Sequence, residues 1–249
     1  METDLVGFIL AAGYSKRLKE LTRDMPKSFL EINGKRVINY HLDNLSKLGI
    51  KKTYIVVGFL KKMFKESIGE NYNGMEVEYI DNDEFETTGH SYSLFLGREV
   101  FKKSKILLVH ADTFCDPNLY KEALKNNFNN VLMIDGDYSN LTGAETLIEG
   151  ENNNVFKLGL GVPETTQTQG VYIGISKFNQ DFLTNFCNYM QEFFEKETRN
   201  LNYEILLGKF LEISKYQINY QKLNGKKWIN INYKEDYEKA KEMADDFTT

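Results

Sequence analysis

The first half of the chain alternates between short apolar runs and longer segments with apolar side chains on one helical face. The apolar runs, each of strand length, are residues 5–10, 53–57, 77–80, 106–109 and 131–134. The segments between them that predict helices are residues 37–48, 59–68, 91–100 and 119–126. In the first of these, Ile38, Leu42 and Leu45 recur at helical spacing. Such alternation predicts a mostly parallel sheet with helices on both faces.

The second half has a less regular pattern. It predicts a hairpin from residues 144–148 and 155–158, strands at 170–175 and 217–222, and helices at 178–196 and Tyr203–Ile213. No linker or low-complexity tract divides the chain. We therefore expect an α/β fold: one Rossmann-like three-layer domain over residues 1–249, with a mostly parallel, partly mixed sheet. Its nucleotide-binding half is expected at 1–135 and its acceptor-binding half at 136–249.

The loop after the first predicted strand is suited to binding an anion. The strand ends in a stretch of mostly small residues, which are Leu10, Ala11, Ala12, Gly13, Tyr14 and Ser15. Small side chains let the backbone N–H groups at Ala12 and Gly13 approach a ligand closely. Arg17 and Lys27 add two positive charges, as suits a triphosphate that is held still while one phosphorus is attacked. A P-loop and a G-x-G-x-x-G motif are both absent.

Residues 10–18 and the pair Pro26-Lys27 resemble the pattern L-A-A-G-x-G/S-x-R-L followed by P-K in nucleotidyltransferases that couple an NTP to a phosphorylated small molecule. Ser15 stands where Gly is commoner in that family. The resemblance implies the fold of the nucleotide-diphospho-sugar transferases, with Arg17 on the β- and γ-phosphates and Lys27 on the α-phosphate as catalytic residues. The alternative is an ordinary strand–loop–helix turn with surface charges.

Asp112 follows the apolar strand 106–109, so it is expected at the edge of the sheet that carries the phosphate loop. A carboxylate there suits Mg²⁺, which prefers oxygen ligands. Residues 228–240 resemble the family segment W-x-E-I-D-T-x-E-D-L-x-x-A, whose first Asp is the second metal ligand; here that residue is Asn232. The resemblance thus implies Mg²⁺ between Asp112 and Asn232. Alternatively, Asp112 caps a helix and Asn232 is a turn amide, while Asp236 is expected to begin or cap the last helix.

Residues 81–94 resemble a segment of the cytidylyltransferases that act on phosphocholine, 2-aminoethylphosphonate, inositol phosphate or glycerol phosphate. The resemblance implies CTP as the nucleotide. Its candidate contacts are Asn82, Thr88, Gly89 and Ser91, residues that can offer backbone N–H groups or polar side chains to a base or a phosphate. Thr88 or Ser91 could instead cap a helix.

Three residues of the second half are candidates for binding the acceptor. Tyr203 and Glu204 lie in a segment similar to one in the phosphonate and phosphocholine enzymes, and an acidic residue beside an aromatic ring suits an ammonium group. Lys157 resembles a lysine that binds phosphate in the sugar enzymes. Core or surface roles are the alternatives for all three. His90 and His110 could contact phosphate, but a packing or hydrogen-bonding role is the favoured interpretation for each.

Together these features predict Mg²⁺-dependent transfer of CMP from CTP to a small alcohol or amine bearing a phosphate or phosphonate, with release of pyrophosphate. The resemblance implies a place in cell-surface polysaccharide or lipid synthesis. Two alternatives remain: a sugar-1-phosphate nucleotidyltransferase using UTP, dTTP or CTP, and a non-catalytic nucleotide-binding domain of the same fold.

Composition narrows the partners further. A net charge of −5 disfavours a nucleic-acid surface, although a pocket can still be locally positive. No apolar stretch approaches the ~20 residues that span a bilayer, and the first apolar run is too short for a signal peptide, so we expect a cytoplasmic protein with no membrane partner. Cys115 and Cys187 lack metal-site spacing and are expected to be reduced core thiols. The sequence does not decide whether the protein forms a homo-oligomer.

Overall fold

The computed structural model describes residues 4–137, 145–160 and 165–247. Its strands are β1 (Leu5–Ala11), β2 (Glu31–Ile32), β3 (Lys35–Arg36), β4 (Lys52–Val57), β5 (Asn71–Tyr72), β6 (Met75–Asp81), β7 (Lys105–His110), β8 (Thr113–Cys115), β9 (Val131–Asp135), β10 (Thr146–Glu151), β11 (Asn154–Leu160), β12 (Thr168–Phe178), β13 (Asn219–Lys222) and β14 (Trp228–Asn230). Its α-helices are α1 (Val37–Lys47), α2 (Lys61–Ile68), α3 (His90–Phe95), α4 (Arg98–Phe101), α5 (Asn118–Lys125), α6 (Gln180–Lys196), α7 (Tyr203–Ile213) and α8 (Lys234–Ala244). Short 3₁₀ helices lie at Lys16–Thr22, Lys27–Phe29 and Asp245–Phe247.

Within those residues, ten strands form one sheet in the order β10-β11-β13-β9-β12-β7-β1-β4-β6-β5. Strands β7, β1, β4 and β6 are parallel neighbours, as the βα alternation of the first half predicts. Strand β12 runs antiparallel to both β7 and β9, so the second half makes the sheet mixed. Because two antiparallel steps separate β9 from β7, both strands point the same way and their carboxyl ends lie at one edge.

Helices cover both faces of this sheet, which gives three layers. On one face the core includes Phe101 of α4 and Phe182 of α6, packed with Phe8 of β1. On the other it includes Leu42 of α1 and Phe64 of α2, packed with other residues of the sheet. The expected three-layer α/β fold with a partly mixed sheet is therefore confirmed.

Some predicted boundaries are wrong. The single helix expected at 91–100 is two helices, α3 and α4, and Gly97 is the N-cap residue of the second. Gly97 packs so closely against the rings of Phe8 and Phe101 that a Cβ there would lie 2.5 Å from each. The helix expected from residue 59 begins at Lys61, since Leu60 has a left-handed φ of 51°. Strand β12 is longer than the predicted 170–175, reaching Phe178.

The hairpin is confirmed as β10 and β11, although Ala144 at its expected start lies outside the described residues. Both cysteines are buried free thiols, as expected. None of the helices in the described ranges has the length and apolar character to cross a bilayer.

Candidate active site

A cavity of about 830 Å³ opens at the sheet edge where β1, β7 and β9 end. Most of the residues singled out from the sequence line it: Leu10, Ala11, Ala12, Gly13, Tyr14, Ser15, Arg17, Lys27, Asn82, Thr88, Gly89, Asp112, Glu204 and Asn232. They come from segments more than 200 residues apart in the chain, which the parallel strands bring to one edge.

The loop after β1 is held at one wall of the cavity by its neighbours. The backbone N–H of Phe59 donates to Ala12 O at 3.1 Å, and the ring of Tyr14 packs against that of Phe59 with centroids 4.4 Å apart. The Ser15 carbonyl accepts hydrogen bonds from the Leu18 N–H and the Thr22 hydroxyl. Gly13 is exposed, and a Cβ there would meet nothing within 4 Å. The loop therefore presents open backbone to the cavity.

Two cations and two oxygen-bearing side chains meet beside this loop. Lys27 Nζ donates to Asp112 Oδ2 at 2.6 Å and to Asn232 Oδ1 at 3.1 Å. Arg17 Nη2 donates to the same Asn232 oxygen at 3.1 Å, and its guanidinium lies 5.3 Å from the centroid of the Tyr233 ring. Burial by itself raises the pKa of Asp112, but the charge and hydrogen bond of Lys27 and the charge of His110 together outweigh burial, and the pKa falls to about 2. Asp112 is therefore an anion at neutral pH.

These contacts decide between the alternatives for the acidic and amide residues. Asp116, not Asp112, accepts from the N–H of Asn118 at the start of α5. The amide oxygen of Asn232 points at the two cations, so it is not merely a turn amide. Asp236 forms a capping box at the start of α8, as expected, and its Oδ2 also accepts from the Asn232 N–H at 2.9 Å.

The segment between β6 and α3 is organised mainly by its own hydrogen bonds. Asn82 is almost fully buried and donates to the hydroxyls of Thr88 and Ser93. Gly89 packs against the backbone of Leu201, whose carbonyl oxygen would lie 2.1 Å from a Cβ, and the N–H of Ser91 donates to that carbonyl. A side-chain cap from Thr88 or Ser91 is absent at α3, whose N-cap residue is Gly89.

Three candidate residues do not line the cavity. Ser91 is fully buried in the first turn of α3. Lys157 is exposed on β11, a strand that no cavity-lining residue belongs to. Tyr203 is fully buried, and its hydroxyl lies 3.0 Å from His110 Nε2 and 2.8 Å from the Tyr172 hydroxyl. The expected direct contacts of these three side chains with nucleotide or acceptor are therefore not supported, because burial or position keeps them away from the cavity.

The wall formed by α3, the end of β7 and α7 carries His90, His110 and Glu204, which we call the acceptor wall. Glu204 is 4% exposed, and its carboxylate lies 3.4 Å from His90 Nε2 and 3.7 Å from His110 Nε2. Burial lowers the pKa of His110, which Glu204 only partly opposes. Both histidines thus line the cavity, where a contact with phosphate, one of the two sequence-based interpretations, would place them.

Sequence reasoning also missed Asp135 and Trp228. Asp135 ends β9 at the cavity edge and accepts a hydrogen bond from Trp228 Nε1 at 2.6 Å. The signal for Asp135 is the same as for Asp112, a carboxylate that follows an apolar strand. Trp228 pairs with Cys115 through the short β14–β8 ladder, a contact that the sequence pattern does not reveal.

Residues 6–132 match the model of a family described as nucleotidyl transferase. The chain belongs to this family. It is therefore a nucleotidyltransferase enzyme. The matched residues include the loop after β1, Arg17, Lys27 and Asp112.

Its relatives include cytidylyltransferases. The CTP:phosphoglutamine cytidylyltransferase of Campylobacter jejuni is 24% identical over 211 residues, which cover 79% of this chain and 80% of that enzyme. The choline-phosphate cytidylyltransferase of Streptococcus pneumoniae is 33% identical over 116 residues, which cover 47% of this chain and only 48% of that enzyme. The inositol-1-phosphate CTP transferase of T. maritima has a similar solved structure, with a TM-score of 0.78, 19% identity and 99% of each chain covered. At that identity the structural likeness shows the fold alone.

Proposed function

We propose that this enzyme transfers CMP from CTP to a small alcohol or amine that carries a phosphate or phosphonate group, in a Mg²⁺-dependent reaction that releases pyrophosphate. The observation that carries the proposal is the meeting of Arg17, Lys27, Asp112 and Asn232 beside an open backbone loop in one cavity. CTP is favoured because relatives named for CTP or choline phosphate align with this chain.

In the proposed reaction, an oxygen of the acceptor phosphate or phosphonate attacks the α-phosphorus of CTP, and the bond from that phosphorus to the pyrophosphate oxygen breaks. The attacking oxygen is already anionic at neutral pH, so no general base is required. Catalysis then depends on positioning and on charge neutralisation. We assign Lys27 to the α-phosphate, because it is the more buried of the two cations, with a side chain only 16% exposed, whereas Arg17 is exposed.

Arg17 is assigned to the β- and γ-phosphates. Its side chain is exposed at the cavity mouth, and its hydrogen bond to Asn232 and its position near the Tyr233 ring already orient the guanidinium. A planar guanidinium can contact two phosphate oxygens at once, so it would offset charge as it develops on the leaving pyrophosphate.

Asp112 and Asn232 would hold Mg²⁺. The donor set fits, because a carboxylate oxygen and an amide oxygen converge on one positive charge, the ammonium of Lys27, and both are hard oxygen ligands. Bound there, the ion would neutralise charge on the triphosphate. Lys27 must leave these oxygens to reach a phosphate, so the proposal requires a change of partners when nucleotide and metal bind.

A second candidate is a sugar-1-phosphate nucleotidyltransferase. One of the relatives is the UTP–glucose-1-phosphate uridylyltransferase of Haloferax volcanii, 31% identical over 104 residues that cover 37% of this chain. The same cations and oxygens would serve that reaction, so the acceptor and nucleotide decide between the two.

Pyrophosphate release tests the proposal. The enzyme is incubated with Mg²⁺ and CTP, UTP or dTTP against phosphocholine, 2-aminoethylphosphonate, glycerol phosphate, inositol phosphate and sugar-1-phosphates, with acceptor-free and chelator-treated controls. We expect release with CTP and one phospho- or phosphono-compound, abolished by the chelator. Release only with a sugar phosphate would establish the second candidate, and CTP binding without release from any acceptor would favour a non-catalytic domain.

A further inference from the structure

The acceptor wall contains a buried carboxylate, that of Glu204, which forms no ion pair with a lysine or arginine of the described residues. Glu204 is 4% exposed, and its recorded ion-pair contacts within the described residues are His90 and His110. Its Oε2 accepts no hydrogen bond there, although His90 Nε2 lies 3.4 Å away. Burying a carboxylate without a full counter-charge costs free energy, so a cation bound beside Glu204 would stabilise this wall.

The three side chains converge on one point from three elements. His90 begins α3, His110 ends β7 and Glu204 lies in the first turn of α7. One ligand atom from each lies within 4.8 Å of the other two. A tetrahedral metal with ligand bonds of about 2.0–2.2 Å separates its ligand atoms by roughly 3.4 Å. His90 Nε2 lies 3.4 Å from Glu204 Oε2, and His110 Nε2 lies 3.7 Å from Glu204 Oε1, so each imidazole is already near that spacing from one of the two carboxylate oxygens.

We propose that His90, His110 and the Glu204 carboxylate bind a first-row divalent cation of the zinc type, at a site separate from the Asp112–Asn232 pair. Two imidazoles and one carboxylate are a ligand set that suits zinc, whereas Mg²⁺ prefers oxygen ligands alone. Three protein ligands leave a fourth position, and because all three residues line the cavity, that position faces the space we assign to the acceptor.

Binding a metal at this site would break one existing hydrogen bond. His110 Nε2 lies 3.0 Å from the Tyr203 hydroxyl, and a metal on that nitrogen would replace this contact. The Tyr203 hydroxyl would keep its second partner, the Tyr172 hydroxyl 2.8 Å away, so it is not itself left without a hydrogen bond. The change needed to admit the cation is therefore local.

An ammonium group of the acceptor is the competing occupant of this wall. It would satisfy the charge of Glu204, but it gives no role to the convergence of two imidazole nitrogens on the same carboxylate. The metal accounts for all three side chains. Metal binding is also measurable without nucleotide or acceptor, so its failure is distinguishable from a failure of the proposed reaction.

The test is a titration of chelator-treated enzyme with Co²⁺, whose visible spectrum reports a four-coordinate site, followed by displacement with Zn²⁺. We expect one four-coordinate Co²⁺ per chain in the wild type, recognised by its spectrum and so distinct from any Co²⁺ on the oxygens of Asp112 and Asn232. His90→Gln and Glu204→Gln should each weaken binding by more than about tenfold, because even partners outside the first coordination sphere contribute about 10–100-fold. Asn232→Ala removes an oxygen of the other site and is the matched control, expected to keep the Co²⁺ spectrum.

Circular dichroism and thermal unfolding establish that each variant is folded. His90→Gln is the variant expected to disturb folding least, because the His90 side chain is 34% exposed. Absence of a four-coordinate spectrum in the wild type would overturn the proposal, as would equal Co²⁺ binding by the wild type and both variants. If no metal binds and Glu204→Gln, but not His90→Gln, raises the KM of a cationic acceptor, the wall belongs to the ammonium group instead.

Discussion

Lys27 occupies the oxygens that we assign to Mg²⁺, so the Lys27→Ala variant should change metal binding and turnover in opposite directions. In the nucleotide-free enzyme its ammonium lies 2.6 Å from Asp112 Oδ2 and 3.1 Å from Asn232 Oδ1. A metal ion that enters must displace this ammonium and overcome its like charge. Removing the ammonium should therefore strengthen Mg²⁺ binding in the absence of nucleotide, even as it removes a group that stabilises the transition state.

The size of the effect follows from the pKa of Asp112. Burial opposes ionisation, yet the net effect, led by Lys27, lowers the pKa from an ordinary 3.8 to about 2. A displacement of that size corresponds to about 2 kcal/mol, within the range of about 1.5–3 kcal/mol for hydrogen bonds to charged groups. We expect Lys27→Ala to bind Mg²⁺ more tightly by at most about sixtyfold, the factor that a displacement of about 1.8 pKa units represents. Loss of a preorganised donor at a reacting phosphate should lower kcat by about 10²–10³.

Metal affinity is measured with Mn²⁺ as a paramagnetic probe and Mg²⁺ as competitor, and turnover by pyrophosphate release. Lys226→Ala is the matched control, because Lys226 pairs with Glu122 at 2.5 Å with similar side-chain exposure, away from the cavity. It should leave both quantities unchanged. Near-normal turnover in Lys27→Ala would refute the assigned role of Lys27, and unchanged metal affinity would refute the competition for Asp112 and Asn232.

Three further predictions concern the same region. Asn232→Asp should lower the Mg²⁺ concentration needed for half-maximal activity by about tenfold, since a second carboxylate adds charge to the ligand pair; an unchanged Mg²⁺ dependence would remove Asn232 from the metal site. Gly89→Ala should lower the free energy of unfolding by more than about 2 kcal/mol in denaturant titrations, because its Cβ would meet the Leu201 carbonyl oxygen at 2.1 Å; wild-type stability would contradict the close packing. Because the folded pKa of Asp112 is depressed to about 2, the stability it contributes is present above pH ~4 and is lost as the pH falls toward 2. Acid unfolding of Asp112→Asn should therefore show a weaker pH dependence in that window than the wild type.

Local patterns were sufficient to predict much of the fold. The apolar runs of the first half form β1, β4, β6, β7 and β9, and helix α7 has the predicted bounds Tyr203–Ile213. These features depend on interactions between near neighbours in sequence, which periodicity reports directly. The close packing of Gly97 against Phe8, a residue of the first strand, is a long-range contact that periodicity does not report.

The cavity residues likewise divide into those that local sequence predicts and those that depend on long-range packing. The order of residues after β1, with Arg17, Lys27 and Asp112, identified a nucleotidyltransferase from the sequence, because a phosphate loop and a strand-end carboxylate are local features. Burial of Tyr203 and the position of Lys157 on β11 could not be predicted, since side-chain direction depends on what packs against each element.

The sequence by itself thus determined the fold class, the enzyme family and the groups available for phosphate chemistry. Only the tertiary structure decided how those groups are paired. It places Lys27 between Asp112 and Asn232, and it assembles His90, His110 and Glu204 from a helix start, a strand end and a second helix. Contacts between residues 94 or 205 positions apart have no periodic signature in the chain, because they exist only once strand order and helix packing have set the distances.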